Sequence, residues 1–267
     1  MARLLNEVIG HQKIIQRLLL MAEREKLPDS LLFVGPPGVG KKMTAIAFAQ
    51  GLICEKSIHG CGSCGPCLRV AHHGSESMLL VEPEKNSIKI EQIRGVIEFL
   101  NLRSITKNRV IIIEDAQLMN PQASNSLLKN LEEPSSGTFF FLIAPSPKHV
   151  LSTIRSRCQI VRFAPLLYED MKSKSQAPEW ALRSSQGSFE KLSLLFDKDE
   201  MEVRSQAIYC LRRLKLDPWA YLDPEVKVGF RDRSQALRLS QHMALLLRDS
   251  VYWKIGGKTK ILNADQD

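Results

Sequence analysis

Two stretches carry residues whose types and spacing could do chemistry. The first is Phe33–Met43, FVGPPGVGKKM, which reads Gly35-x-x-x-x-Gly40-Lys41 with Gly38 inside it. Glycines let the backbone turn so that successive N–H groups face one point, a cradle for phosphate. An apolar run, Leu31–Val34, leads in and a helical pattern follows. That order lets a helix N-terminus add its partial positive charge, and Lys41 would reach the terminal phosphates. Strand, loop and helix together make the opening of a P-loop. The next position calls for Ser or Thr, whose hydroxyl holds Mg²⁺, and Lys42 stands there instead. An ammonium cannot ligate a cation. ATP is therefore expected to bind weakly or not at all, without Mg²⁺ dependence, and Lys42 is expected to pair with Asp115.

The second stretch is a cysteine cluster. Cys54, Cys61, Cys64 and Cys67 follow the spacing Cys-x6-Cys-x2-Cys-x2-Cys. In a reducing compartment this pattern argues for a metal rather than disulfides. Four thiolates close a tetrahedral Zn²⁺ site and leave no position for water, so the site is structural. Gly60, Gly62, Gly65 and Pro66 allow tight turns between the ligands, and His59, His72 and His73 are near enough to replace one. Free surface thiols or a redox pair are the competing readings.

These residues need a frame. Arg109–Asp115, RVIIIED, is an apolar strand ending in two carboxylates. It resembles the second nucleotide motif of P-loop ATPases, in which an Asp orients Mg²⁺ and a Glu polarises water. Here the order is inverted, Glu114 before Asp115, and a plain pair of strand-end acids is the alternative. Further apolar strands are expected at Leu31–Val34, Met78–Val81, Thr138–Ile143 and Gln159–Phe163. Helical periodicity lies between them at Gln12–Lys26, Lys42–Ile53 and Ile90–Leu100, and in a helix opened by Asn120 and Pro121 and running to Glu133. Lys148–Ser156 reads as one short helix. Strands alternating with helices mean a parallel α/β sheet. Beyond Pro165 the strand signal stops: 168–178 reads as a polar linker, 179–196 as two short helices broken at Gly187, and the rest as helical.

The bulk numbers exclude little. The chain has 267 residues, 44% apolar and 25% charged, ordinary for a globular protein. Its net charge of +8 is compatible with a nucleic-acid neighbour, though a solvated basic face gives the same number. No apolar run is long enough for a membrane span, and MARLLNEVIGHQ lacks a secretory core, so a cytoplasmic location is expected.

Together the motifs resemble the AAA+ clamp-loader family of bacterial DNA polymerase III, its delta-prime branch first and its gamma/tau branch next. The matching residues are Val8-Ile9-Gly10-His11-Gln12, the loop at 35–41, the cysteines at 54–67, IIIED at 111–115, SNSLLKNLEEP at 124–134, and Ser156-Arg157-Cys158. The resemblance implies an α/β P-loop (AAA+) parallel-sheet domain with a zinc knuckle at 1–165, a helical lid at 166–200 and an all-α collar at 201–267. It implies a five-membered ring with gamma/tau and delta subunits that places a sliding clamp on primed DNA, with no membrane involved. Arg157 would be an arginine finger reaching a neighbour's nucleotide; a local salt bridge is the alternative. Four departures point to lost chemistry. They are Lys42, the inverted acids, no sensor hydroxyl near Ala144 and Pro145 before Ser146, and Glu190 where an arginine should follow Gly187-Ser188. These favour a subunit that does not hydrolyse ATP. The alternatives are an ATP-hydrolysing gamma/tau-type motor, supported by Gly40-Lys41, and a zinc-bearing P-loop protein outside replication.

Overall fold

The apolar runs at 31–34, 110–113 and 140–144 are continuous rather than alternating because those strands are covered on both faces. The computed structural model describes residues 3–72, 74–102, 105–224, 226, 232–257 and 261–263. Its strands are β1 (Ser30–Val34), β2 (Met78–Val81), β3 (Arg109–Ile113), β4 (Thr138–Ala144) and β5 (Gln159–Arg162). They form one sheet in the order β2-β3-β4-β1-β5, and every neighbouring pair is parallel. Parallel neighbours need crossovers, which the helices supply. Helix α1 (Gln12–Glu23) precedes the first strand, and the crossovers carry α2 (Lys41–Ile53), α3 (Gly65–Ala71), α4 (Ile90–Asn101), α5 (Pro121–Glu132) and α6 (Ser152–Arg155).

The side-chain period of two sorts the strands onto two cores. Leu31, Phe33, Val110, Ile112, Phe141 and Ile143 pack with Leu18 of α1 and with Ala45, Phe48, Ala49 and Leu52 of α2. Their alternates, Leu32, Val34, Ile111, Ile113, Phe140 and Leu142, meet Ile93 and Val96 of α4, Leu127 and Leu131 of α5, and Ile154 of α6. Helix α2 is buried along almost its whole length. Alanines at 45 and 49 let it lie close to the sheet, while Ala47 faces away from it, onto Val8 and Ile15.

Three local expectations fail for identifiable reasons. Lys148–Ser156 is not one helix: a 3₁₀ turn at Pro147–His149 and α6 flank Val150, which is extended and buried in the core. Gly65 and Pro66 do not make a turn but open α3, where a first-turn proline loses no hydrogen bond. The supposed linker at 168–178 begins with a helix, α7 (Tyr168–Lys172). Its Met171 is buried and accepts from the Ser185 hydroxyl, and its Tyr168 ring lies under the Arg183 guanidinium. One apolar anchor in a polar stretch was too faint a signal.

The chain divides into two compact units, Met1–Leu166 and Leu167–Asp267. The second is helical in its described residues, with α7 followed by α8 (Glu179–Ser184), α9 (Phe189–Leu195), α10 (Lys198–Leu216) and α11 (Arg233–Lys254). Val203, Ala207 and Leu239 join α10 to α11. The Arg204 guanidinium sits 3.8 Å above the Trp180 ring and donates to Asn263 Oδ1 at 3.0 Å. Parts of 201–267 fall outside the described residues. Among those described, no helix is long and apolar enough to cross a membrane.

Candidate functional site

The phosphate loop connects the end of β1 to the start of α2. Gly35 passes so close to the Phe163 carbonyl that a Cβ would collide with it. Gly40, at φ +96°, is the left-handed residue that starts α2 without a capping side chain, which leaves the first N–H groups facing the loop. Lys41 is buried, and its Nζ donates to the carbonyls of Gly35 at 2.7 Å and Pro36 at 2.6 Å. Outside the loop, His11 Nε2 lies 3.0 Å from the Val39 carbonyl oxygen and its ring meets Phe163 edge-on. That contact ties the VIGHQ segment to the cradle.

Lys42 behaves differently from its neighbour. Its ammonium donates to Glu114 Oε2 at 2.6 Å and also to Glu82 Oε1. Burial alone would lower its pKa, but the hydrogen bonds and charges of Glu114 and Glu82 outweigh burial and raise it. The expected partner, Asp115, is not the one used. Asp115 has φ +49° at the start of the turn Ala116–Leu118 and accepts from Gln117 Nε2 at 2.9 Å. The inversion explains this: the residue directly after β3 points at α2, and here that residue is Glu114. Glu82 was missed in the sequence. Val81 pairs with Ile113 across β2 and β3, so the acids one residue further on, Glu82 and Glu114, stand side by side. Strand order was the missing information.

The other end of α2 carries the cysteines. Cys54 caps α2, Cys64 caps the start of α3 and Cys67 lies in its first turn. The four sulphurs lie within 4.8 Å of one another, and the Cys54–Cys64 and Cys61–Cys67 pairs are each 3.9 Å apart. A tetrahedron with Zn–S bonds of about 2.3 Å has S···S edges of about 3.8 Å. Backbone donors are turned onto the sulphurs. Cys61 Sγ accepts from the N–H groups of Ser63 at 3.4 Å and Cys64 at 3.2 Å, and Cys54 Sγ from Lys56 at 3.4 Å and Cys61 at 3.3 Å. The Ser63 hydroxyl and these amides draw the Cys61 thiol down to about 5. Burial pushes Cys67 up. Four thiols in one small volume resist ionising together, and a dication removes that conflict. The donor set therefore fits zinc. His59 faces Glu23 at 3.2 Å and His72 ends α3, and neither joins the sulphur group. His73 lies outside the described residues. Buried Gln50 of α2 donates to the Cys67 carbonyl at 3.1 Å and accepts from the Leu4 N–H at 3.0 Å, anchoring the knuckle from beneath.

Arg157 follows α6. Its Nε donates to Glu132 Oε1 at 2.7 Å, Nη2 to the same oxygen, and Nη1 to the Thr153 carbonyl at 2.8 Å and Ser156 Oγ at 3.2 Å. Glu132 closes α5 and was not singled out in the sequence. Cys158 is a packing residue: burial pushes its thiol up to about 12. Ser146 Oγ caps its own turn by accepting from the Lys148 N–H at 3.3 Å. Ser188 caps α9, with Glu190 in its first turn.

Sheet, loop and buried helix define a P-loop α/β domain. A family model described as DNA polymerase III, delta subunit, matches residues 10–167, more than half of the chain, and the chain belongs to that family. The DNA polymerase III subunit delta' of Bacillus subtilis is 27% identical over 265 residues, covering 95% of this chain and 80% of that protein. That of Escherichia coli is 32% identical over 188 residues, 66% of this chain and 56% of the relative. A gamma-subunit-related protein of Thermotoga maritima superposes with a TM-score of 0.45 at 17% identity, over 93% of this chain and 73% of that one.

Proposed function

We propose that this chain is a delta-prime-type subunit of a DNA polymerase III clamp loader, one that keeps the nucleotide-binding shape without turning over ATP. The observation that carries the reading is Lys42 held between Glu82 and Glu114. When bound in such a loop, Mg²⁺ neutralises the terminal phosphates and orients the attacking water. Here the carboxylate nearest the loop is already neutralised by an ammonium, and the hydroxyl ligand is missing. Lys41, Gly35, Gly38 and Gly40 can still face a phosphate. Turnover also needs the acid after β3 to be available, and Glu114 is engaged.

In this reading the chain sits in a ring with gamma/tau-type and delta-type subunits. It helps to place a sliding clamp on primed DNA, and Arg157 reaches a neighbour's nucleotide. A guanidinium stabilises charge on a transferring phosphoryl group, and a finger in trans is worth roughly 10³ to 10⁵ in rate for GTPases. A ring with several sites loses less when one finger is removed. The names of the relatives and the retained SRC run support this role.

Calorimetric titration of the isolated chain with ATP, with and without Mg²⁺, tests the reading. Weak or absent binding that ignores Mg²⁺ is expected. Tight Mg²⁺-dependent binding with turnover would establish the second reading, a gamma/tau-type motor, which the intact Gly35–Lys41 cradle favours. In a reconstituted loader, Arg157→Ala should lower DNA-stimulated ATPase at unchanged assembly, and Arg157→Lys should rescue poorly for lack of the planar fork.

A further inference from the structure

We infer that Glu132 is a positioning residue for Arg157: its carboxylate occupies the edge of the guanidinium that would grip a phosphate, and holds it until a neighbour's nucleotide takes its place. This rests on the trans role of Arg157 proposed above. A guanidinium grips an oxyanion best with two parallel N–H groups. The Nε and Nη2 groups form that edge, and both are turned onto Glu132 Oε1. The remaining nitrogen, Nη1, is held by the Thr153 carbonyl at 2.8 Å. Glu132 can therefore leave while Thr153 keeps the arginine in place as a pivot.

The two residues face each other because the core fixes the helices that carry them. Leu131, beside Glu132, and Ile154, in the turn before Arg157, belong to one buried cluster. Exposure decides what the contact is for. The side chains of Arg157 and Glu132 are 31% and 48% exposed. A buried pair would be costly to open, because one charge would be left without partner or solvent. This pair opens toward water, and Glu132 is solvated once released. Its hold is that of an exposed ion pair, on the order of a few-fold in equilibrium. A phosphate carries more charge than a carboxylate and displaces it, and a ring without nucleotide at that interface keeps the finger parked.

The test is a loader reconstituted from this chain and its own partner subunits, assayed for ATPase without clamp or DNA. Glu132→Gln should raise that basal rate about two- to five-fold, the hold of an exposed pair. Arg157→Ala should lower it, and the double variant should match Arg157→Ala. In the free chain, phenylglyoxal should modify Arg157 faster in Glu132→Gln than in wild type, by a similar factor and with an unchanged melting temperature. Should Glu132→Gln melt lower, Glu132→Asp keeps the charge, shortens the reach and should show the same rise. If Arg157→Ala lowers the rate but neither Glu132 variant raises it, the parking role is wrong and the trans role stands. If Arg157→Ala equals wild type, the trans role fails and Glu132 fails with it.

Discussion

The two ends of α2 have been treated in opposite ways. At its C-terminal end every group a metal needs is present: four sulphurs with 3.9 Å pairs, and amides turned onto two of them. At its N-terminal end the phosphate cradle persists, yet the hydroxyl is gone and Lys42 lies against Glu114. One helix, buried along its length, holds both. A buried helix is kept because the sheet packs on it, whatever chemistry its ends perform. Retention of the loop's shape is thus weak evidence for hydrolysis, whereas four convergent thiols have no packing reason to converge.

The largest effect should come from the knuckle. Elemental analysis of protein purified without chelator should give about one zinc per chain. Cys64→Ser should lose it. Structural zinc sites contribute roughly 10–16 kcal/mol of apparent binding in zinc-finger peptides, so losing even part of that should lower unfolding stability by about 3 kcal/mol or more. The sheet signal in circular dichroism should survive, since the sulphur cluster lies beyond the end of α2 and outside both sheet cores. A zinc-free preparation that melts like the loaded protein would remove the contrast between the two ends.

A smaller effect is expected at the N-terminal end. Lys42→Thr leaves Glu82 and Glu114 facing each other without a cation. The bridge is partly exposed, so its loss should cost about 1 kcal/mol, read from denaturant unfolding. Added Mg²⁺ should offset that loss in the variant and not in wild type. On the proposed reading, Lys42→Thr should show no ATP turnover, because threonine at 42 does not correct the acid order. The pH dependence has a definite sign. Lys42 has a raised pKa when folded, so its contribution is fully present below the unfolded value of 10.5 and is lost as pH rises through the higher folded value. From neutrality upward, the difference between wild type and Lys42→Thr should therefore hold and shrink only in strong alkali. Shrinkage near neutrality would mean that Lys42 does not hold the bridge.

Most of the sheet domain could be read in advance because its signals are local. Four of the five strands are short apolar runs closed by Gly, Pro or acid residues, and α5 announces itself through Asn120 and Pro121, with the Asn120 side chain accepting the Ala123 N–H at 2.7 Å. The cysteine spacing is local too. What escaped was set by strand order and by single anchors. Glu82 meets Lys42 only because β2 lies beside β3. Glu132 meets Arg157 only because α5 packs beside α6, and Met171 makes a helix of what reads as linker. Lys42 meets Glu114 rather than the expected Asp115 because one residue of shift after a strand turns a side chain to the other face.

The smallest effect sharpens the account of the knuckle. His59 sits inside the cysteine run, and by sequence it could replace a ligand. In the structure its Nε2 lies 3.2 Å from Glu23 Oε1, on α1, and both side chains are about half exposed, at 49% and 46%. An exposed pair of this kind contributes about 0–1 kcal/mol. His59→Ala should therefore keep its zinc and shift stability by no more than about 0.5 kcal/mol. The informative experiment puts the change into the Cys64→Ser background. If His59 is held outward, Cys64→Ser and Cys64→Ser/His59→Ala should carry equally little zinc. Suppose instead that the single variant retains zinc and the double loses it. The loop would then swing His59 away from Glu23 into the vacated position. The knuckle would be as adaptable as the phosphate loop is altered, and the two ends of α2 would differ in degree rather than in kind.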